Sequence, residues 1–202
     1  MSGGAHMDTT TEPNTPLTAE ELLAVPDPDL PHELWRGVLH KVMPASGAHG
    51  SAVSRLTVTL GQHVYAHDLG DLFSESTGFV LERGPDTVLC PDIAFVSKER
   101  LPAGGPGWSF PELAPDLAVE ILSPSDRPGQ VRAKVAEYLR LGVRCVWVFD
   151  LPKRTVHVHS RGAAPSSPIT TTVLVDGDVL EGGDILPGFR YPLAQLFSAL
   201  RR

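Results

Sequence analysis

Apolar positions recur along this chain in two rhythms, one near three and a half residues and one of two, with turn residues between them. Thr18 followed by Glu21 matches a capping box, and Leu22, Leu23 and Val25 give the short helix behind it apolar weight. Pro26, Pro28 and Pro31 end that helix. His32 to Trp35 and Val38 to Met43 flank Arg36-Gly37 and read as a hairpin. Pro44 to Gly50 is a turn. From about Ala48 to His67 the residues Val53, Leu56, Leu60 and Val64 form one apolar stripe. That spacing predicts a long helix, with Gly70 as its terminator.

The middle of the chain changes rhythm. Leu72 to Glu75, Gly78 to Leu81, Val88 to Cys90 and Ile93 to Val96 are short strand candidates. Lys98 to Glu112 is a Pro/Gly-rich loop. Leu117 to Leu122 reads as a central strand, interrupted by one charged residue, Glu120. A helix follows from about Gln130 to Leu141, closed by Gly142, and Val143 to Phe149 is another apolar strand beside Thr155 to His159. Arg161 to Pro168 is a loop of small residues. Thr171 to Val175 and Asp178 to Leu180 flank Asp176-Gly177, a hairpin signal. Leu193, Leu196 and Phe197 predict a short final helix.

Composition narrows the class. The chain has 202 residues, 42% hydrophobic and 20% charged, with 19 glycines and 19 prolines. These values fit one α+β domain and exclude a long coiled coil or a mostly disordered chain. Residues 1–16 are poor in core formers and are expected to be a disordered tail, so the domain runs over 17–202. The opening Ser-Gly-Gly-Ala-His-Met reads as a cloning scar. Cys90 and Cys145 allow no zinc cluster and no disulfide framework. No apolar run is long enough for a membrane span, and no signal segment is visible, which predicts a cytoplasmic protein. Walker, Rossmann, HExxH and Gly-x-Ser-x-Gly patterns are absent.

Chemistry is suggested by carboxylates on apolar strands. Asp92 opens Asp92-Ile93-Ala94-Phe95-Val96, and Glu120 sits within Leu117-Ala118-Val119-Glu120-Ile121-Leu122. A carboxylate on a buried strand is costly unless paired, hydrogen-bonded or metal-bound. Side by side, two such strands would offer hard oxygen ligands of the kind Mg²⁺ or Mn²⁺ prefers. Turn-capping or an arginine partner would account for the same residues structurally. Lys134, in the next helix, could reach these carboxylates or remain a solvated lysine. Glu137 is an expected i,i+3 partner of Lys134.

In this order the motifs resemble those of the Uma2-type restriction endonuclease family, within the PD-(D/E)xK nuclease superfamily. The matching stretches are His32-Glu33-Leu34-Trp35-Arg36-Gly37-Val38-Leu39, Met43-Pro44 with His49, and Pro91-Asp92-Ile93-Ala94-Phe95-Val96. Val119-Glu120-Ile121-Leu122-Ser123-Pro124-Ser125, Lys134-Val135-Ala136-Glu137-Tyr138 and Val146-Trp147-Val148-Phe149-Asp150 follow. The resemblance implies a restriction-endonuclease-like α+β fold, a mixed β-sheet core flanked by helices with additional β-hairpins. It implies a DNA-cleaving enzyme using Mg²⁺ or Mn²⁺, with Asp92, Glu120 and Glu33 as metal-binding or catalytic carboxylates. The superfamily's usual lysine position is Leu122 here, which points to Lys134 as the lysine moved to the next helix. His49, Arg127 and Arg132 are candidate phosphate contacts, and His49 could instead orient Glu33. Tyr138 and Trp147 read as packing residues.

Net charge is −7, which argues against whole-surface attraction to nucleic acid. The segment from Glu120 to Arg161 is locally positive, with Arg127, Arg132, Lys134, Arg140, Arg144, Lys153, Arg154 and Arg161 against four acidic residues. That asymmetry permits DNA-phosphate tracking by one face. A homodimer would suit the cutting of two strands. The competing reading is a catalytically inactive nuclease-fold protein serving as a binding or oligomeric module.

Overall fold

Alternation on the strands decides the layering. In the computed structural model, which describes residues 16–24, 32–41, 45–123, 126–162 and 167–200, the apolar residues of the central strands point in turn to two helices on opposite faces. The expected tail through residue 15, Val25, Pro26, Pro28, Pro31, Met43-Pro44 and Pro124-Ser125 lie outside the described residues.

The elements in chain order are α1 (Ala19–Leu23), β1 (His32–Trp35), β2 (Val38–Lys41), α2 (Gly47–Ala66), β3 (Gly70–Ser74), β4 (Phe79–Glu82), β5 (Thr87–Leu89) and β6 (Ile93–Ser97). After a 3-10 turn at Lys98–Arg100 come β7 (Leu117–Ile121), α3 (Pro128–Arg140), β8 (Cys145–Asp150), β9 (Thr155–Arg161), β10 (Ile169–Val175), β11 (Val179–Glu181), β12 (Arg190–Pro192) and α4 (Leu193–Ala199). The result is a mixed α+β architecture. Among the described residues, one sheet has the order β10-β9-β8-β7-β6-β3, a smaller one β2-β1-β5-β4, and β11 pairs with β12.

In the larger sheet only β7 and β8 run parallel, and α3 is the crossover between them. Leu117, Val119 and Ile121 of β7 face α2, joining Leu56, Leu60 and Val64 in one core cluster. Ala118 points to the other face, where Val146 and Val148 meet Val135, Tyr138 and Leu139 of α3. Glu120 falls on this second face by the same alternation. Leu89, with Trp35 and Leu81, packs against the α3 cluster, so the smaller sheet lies on that side.

Local signals account for the boundaries. Thr18 Oγ1 accepts the Glu21 N–H at 3.2 Å and Glu21 Oε2 accepts the Thr18 N–H at 2.8 Å, the reciprocal capping expected. Arg36 and Gly37 both have positive φ (50° and 78°), the geometry that closes a two-residue hairpin between β1 and β2. α2 starts at Ser46, whose Oγ caps the His49 N–H at 3.3 Å. It ends at Ala66, and Gly70 begins β3 instead of terminating the helix. With φ of 151°, Gly70 lets β3 approach β6, for a Cβ there would stand 2.1 Å from the Val96 carbonyl oxygen.

One expected hairpin is not formed. Asp176-Gly177 makes a turn, with Val175 N–H held by Asp178 Oδ2 at 2.8 Å, but β10 pairs with β9 over seven positions and β11 pairs with β12. Burial explains the departure. Leu180 is fully buried in the α2–α4 cluster, which draws the chain off the sheet after the turn. Both cysteines are free. No helix among the described residues is long and apolar enough to cross a membrane.

Candidate active site

The candidate residues gather at one end of the larger sheet. β6 and β7 are antiparallel neighbours with Ile93 opposite Val119, so one step further brings Asp92 to the level of Glu120. Asp92 Oδ2 accepts the Ile121 N–H at 2.6 Å, which fixes the aspartate against the end of β7. Glu120 is met from α3. Lys134 Nζ lies 2.9 Å from its Oε1 and 3.1 Å from its Oε2, and Tyr138 donates its O–H to Oε1 at 2.8 Å. The fourteen-residue step from Glu120 to Lys134 works because α3 packs back across the face on which Glu120 projects.

Glu33 comes from β1 of the smaller sheet. β1 pairs with β5 through Leu34 and Val88, which sets Glu33 beside the chain leaving β5. Its Oε1 accepts the Cys90 N–H at 2.9 Å and pairs with Lys134 Nζ at 2.8 Å, and its Oε2 accepts Trp35 Nε1–H at 3.3 Å. Lys134 therefore bridges Glu33 and Glu120, joining the two sheets through one ammonium group.

A second group surrounds Asp92. His49, in the first turn of α2, lies with Nε2 3.2 Å from Asp92 Oδ2. It faces Asp92 and not Glu33. Glu75 follows directly on β3, whose Ser74 pairs with Ile93, so it lands next to Asp92. His49, Glu75 and Asp92 each offer one ligand atom, all within 4.8 Å of one another. Sequence reasoning missed Glu75: it carries no pattern of its own and is exposed at a strand end. Tyr138 was legible only as packing. It is buried as expected, yet its phenol is also a hydrogen-bond donor to the site.

Electrostatics follow from burial and crowding. Burial raises the Glu120 carboxyl to about 7, with Lys134 opposing the shift and the Asp92 and Glu33 charges adding to it. Burial works against the Lys134 charge, but Glu120 and Glu33 outweigh it and hold its pKa above the ordinary lysine value. His49 is raised by its hydrogen bond to Asp92, against burial. Burial pushes the Cys90 thiol up to about 12, so it stays neutral beside Glu33.

The donor set fits a divalent cation. His49, Glu75 and Asp92 bring an imidazole and two carboxylates together, and beside them Lys134 lies between Glu33 and Glu120. Three carboxylates against one ammonium leave excess negative charge where carboxyl ionisation is already resisted. Hard oxygens suit Mg²⁺ or Mn²⁺, and the imidazole is tolerated better by Mn²⁺.

The remaining candidates are dispersed. Arg127 and Arg132 are exposed at the start of α3 and form no ion pair among the described residues. Other members of the basic segment are consumed: Arg140 by Glu82 and Glu137, Arg144 by Asp116, Lys153 by Asp150 and Arg154 by Asp176. Glu137 pairs with Arg140 and Arg36, not with Lys134 as its spacing suggested, because Lys134 turns inward to the carboxylates. Trp147 is core, 1% exposed, as expected. Ser123 donates its backbone N–H to Asp126 Oδ2 at 2.6 Å, a local loop bond.

A family model described as "Uma2: Putative restriction endonuclease" matches residues 19–194. Among solved structures the chain is similar to one described as a "putative nuclease belonging to DUF820 from Anabaena variabilis ATCC 29413". The two share 22% identity over 92% of this chain and 99% of that chain, with a TM-score of 0.76, a likeness of fold. No curated protein matches the chain.

Proposed function

The chain belongs to the Uma2 family, and from that premise we propose that it is a Mg²⁺- or Mn²⁺-dependent endonuclease that hydrolyses DNA phosphodiester bonds. The observation that carries the reading is the meeting of Glu120 and Glu33 on Lys134 at the sheet end where Asp92 is tied to the Ile121 N–H, one residue past Glu120. In this reading Asp92 holds the ion together with Glu120, and Asp92 also belongs to the cluster with Glu75 and His49 whose ligand atoms lie within 4.8 Å of one another. A bound ion would supply Lewis-acid polarisation of the phosphate and a water of lowered pKa.

The chain's own groups have separable tasks in this reading. Lys134 offsets charge developing on the phosphate oxygens, and its two carboxylate partners keep it protonated and aimed. Tyr138 orients Glu120 through the phenol bond, and His49 orients Asp92 or joins it as a ligand. Glu33 accepts a proton or assists at the metal. Arg127 and Arg132 contact flanking phosphates. A homodimer would set two such sites for the two strands, and the cytoplasm is the expected compartment.

A closed cluster with Lys134 neutralising Glu33 and Glu120 also suits an inactive nuclease-fold protein. Plasmid cleavage separates the two. Supercoiled plasmid incubated with the protein should be nicked or linearised in Mg²⁺ or Mn²⁺ and left intact in chelator, and Asp92→Ala and Glu120→Ala should abolish the reaction. Unchanged cleavage by both variants, or none by the parent chain in either ion, would refute the enzymatic reading.

A further inference from the structure

The sheet end that carries Asp92 and Glu120 also opens a cavity of about 320 Å³. That volume lies within the range of small-ligand pockets, about 300–1,000 Å³. Its lining is mostly apolar, with Leu122, Leu151, Pro152, Phe197 and Leu200. Leu122 is two residues past Glu120, and Ala48, also in the lining, directly precedes His49. The cavity therefore neighbours the candidate active site through these chain positions, on the side where α2 begins and α4 ends.

The polar side chains among its lining residues are Ser46 and Arg154. The Arg154 guanidinium lies 5.1 Å over the Phe197 ring. It is fixed there by Asp176 Oδ2 at 2.5 Å and the Phe197 carbonyl at 3.0 Å. It thus presents a flat wall. Ser46 Oγ accepts the His49 N–H and keeps its own proton to donate. α2 has no acidic residue in its first turn, and helix geometry leaves the Gly47 and Ala48 amides without intrahelical partners. The start of α2 therefore offers free amide donors and a partial positive charge. An apolar slot with a flat wall accepts a ring with a polar edge, and the helix start beside it accepts a phosphate. A nucleotide combines the two.

We propose that this cavity receives the base of an unpaired nucleotide adjacent to the phosphate cut at Asp92 and Glu120. The inference rests on the phosphodiester-hydrolysing reading and deepens it by naming the substrate class, DNA with an unpaired nucleotide beside the scissile bond. In a duplex that base is stacked and paired, and reaching the cavity costs the energy of both interactions.

The test uses the full chain in Ca²⁺ and a short single-stranded oligodeoxynucleotide carrying 2-aminopurine, beside the same sequence as a duplex. The single strand should bind about tenfold tighter or better, with a change in 2-aminopurine fluorescence, the scale expected for one seated base. Ala48→Leu and Leu151→Gln, both in the lining, should each weaken binding several-fold, and thermal unfolding identifies which variant is folded. Equal affinity for single strand and duplex, or undiminished binding by a folded Ala48→Leu chain, overturns the proposal. Cleavage in Mn²⁺ keeps the two readings apart. If the oligonucleotide binds as described but no DNA is cut, hydrolysis fails and the base site stands. If duplex is cut as readily as single strand, hydrolysis stands and the base site fails.

Discussion

Asp92 Oδ2 accepts the backbone N–H of Ile121 at 2.6 Å, tying the aspartate that opens β6 to the strand position just past Glu120. The same oxygen meets His49 Nε2 at 3.2 Å. Asp92→Ala removes both contacts and leaves a strand N–H without its acceptor, so it should cost about 1–3 kcal/mol of stability in urea unfolding. Asp92→Asn retains an acceptor and should recover most of that loss while remaining inactive in plasmid cleavage. Equal stability of the Ala and Asn variants would show that the Ile121 bond contributes little.

Lys134 holds two carboxylates at 2.8 and 2.9 Å, and its removal strands both. Lys134→Met should destabilise the chain by about 3–5 kcal/mol, the scale for breaking one side of a buried pair. Adding Glu120→Gln removes one stranded charge and should restore part of the loss. A double-mutant cycle reads the coupling directly. Strict additivity would mean that Lys134 and Glu120 do not interact in solution.

The ion-free chain should lose stability as the pH rises from the ordinary carboxyl value of 4.5 through about 7. In that window folded Glu120 keeps a proton that the unfolded chain has released, so its contribution is complete at low pH and lost on ionisation. His49, also raised, acts in the same direction above 6.5. Lys134 contributes no slope there, since its folded value lies above the ordinary 10.5. Unfolding in chelator across this range should show the decline, reduced in Glu120→Gln. An identical slope in parent and variant would remove Glu120 as its source.

Glu75 lies within reach of a cation shared with Asp92 and His49. Glu75→Gln should weaken Mn²⁺ binding by about tenfold or more, measured by electron paramagnetic resonance without any substrate. Unaltered affinity would assign the ion to Asp92 with Glu120 and Glu33 alone.

Several helix boundaries and most strands were legible because each has a local cause, such as the capping box at Thr18 and the apolar stripe from Val53 to Val64, whereas α3 begins at Pro128, two residues before the expected Gln130. Asp92 and Glu120 stood out because charge on an apolar strand breaks a pattern, Lys134 because its helix follows Glu120, and Glu33 only through the family resemblance. Asp176-Gly177 shows where local chemistry stops. The turn forms, but the partner of β10 was decided by the seven positions β9 offers and by the burial of Leu180.

By itself the sequence determined the α+β class, the order of elements and two carboxylates, Asp92 and Glu120, that apolar strands would not otherwise carry. Only the tertiary structure decided their company. Glu75 meets Asp92 because β3 and β6 are antiparallel in a particular register, and Lys134 bridges Glu33 and Glu120 because α3 and the smaller sheet cover the same face. Glu137 was claimed by Arg36 and Arg140, and most basic residues of the positive segment by carboxylates. Charge on a linear segment is additive, but in the fold each charge is set by what lies within a few ångströms, and that proximity is a property of sheet register and helix packing.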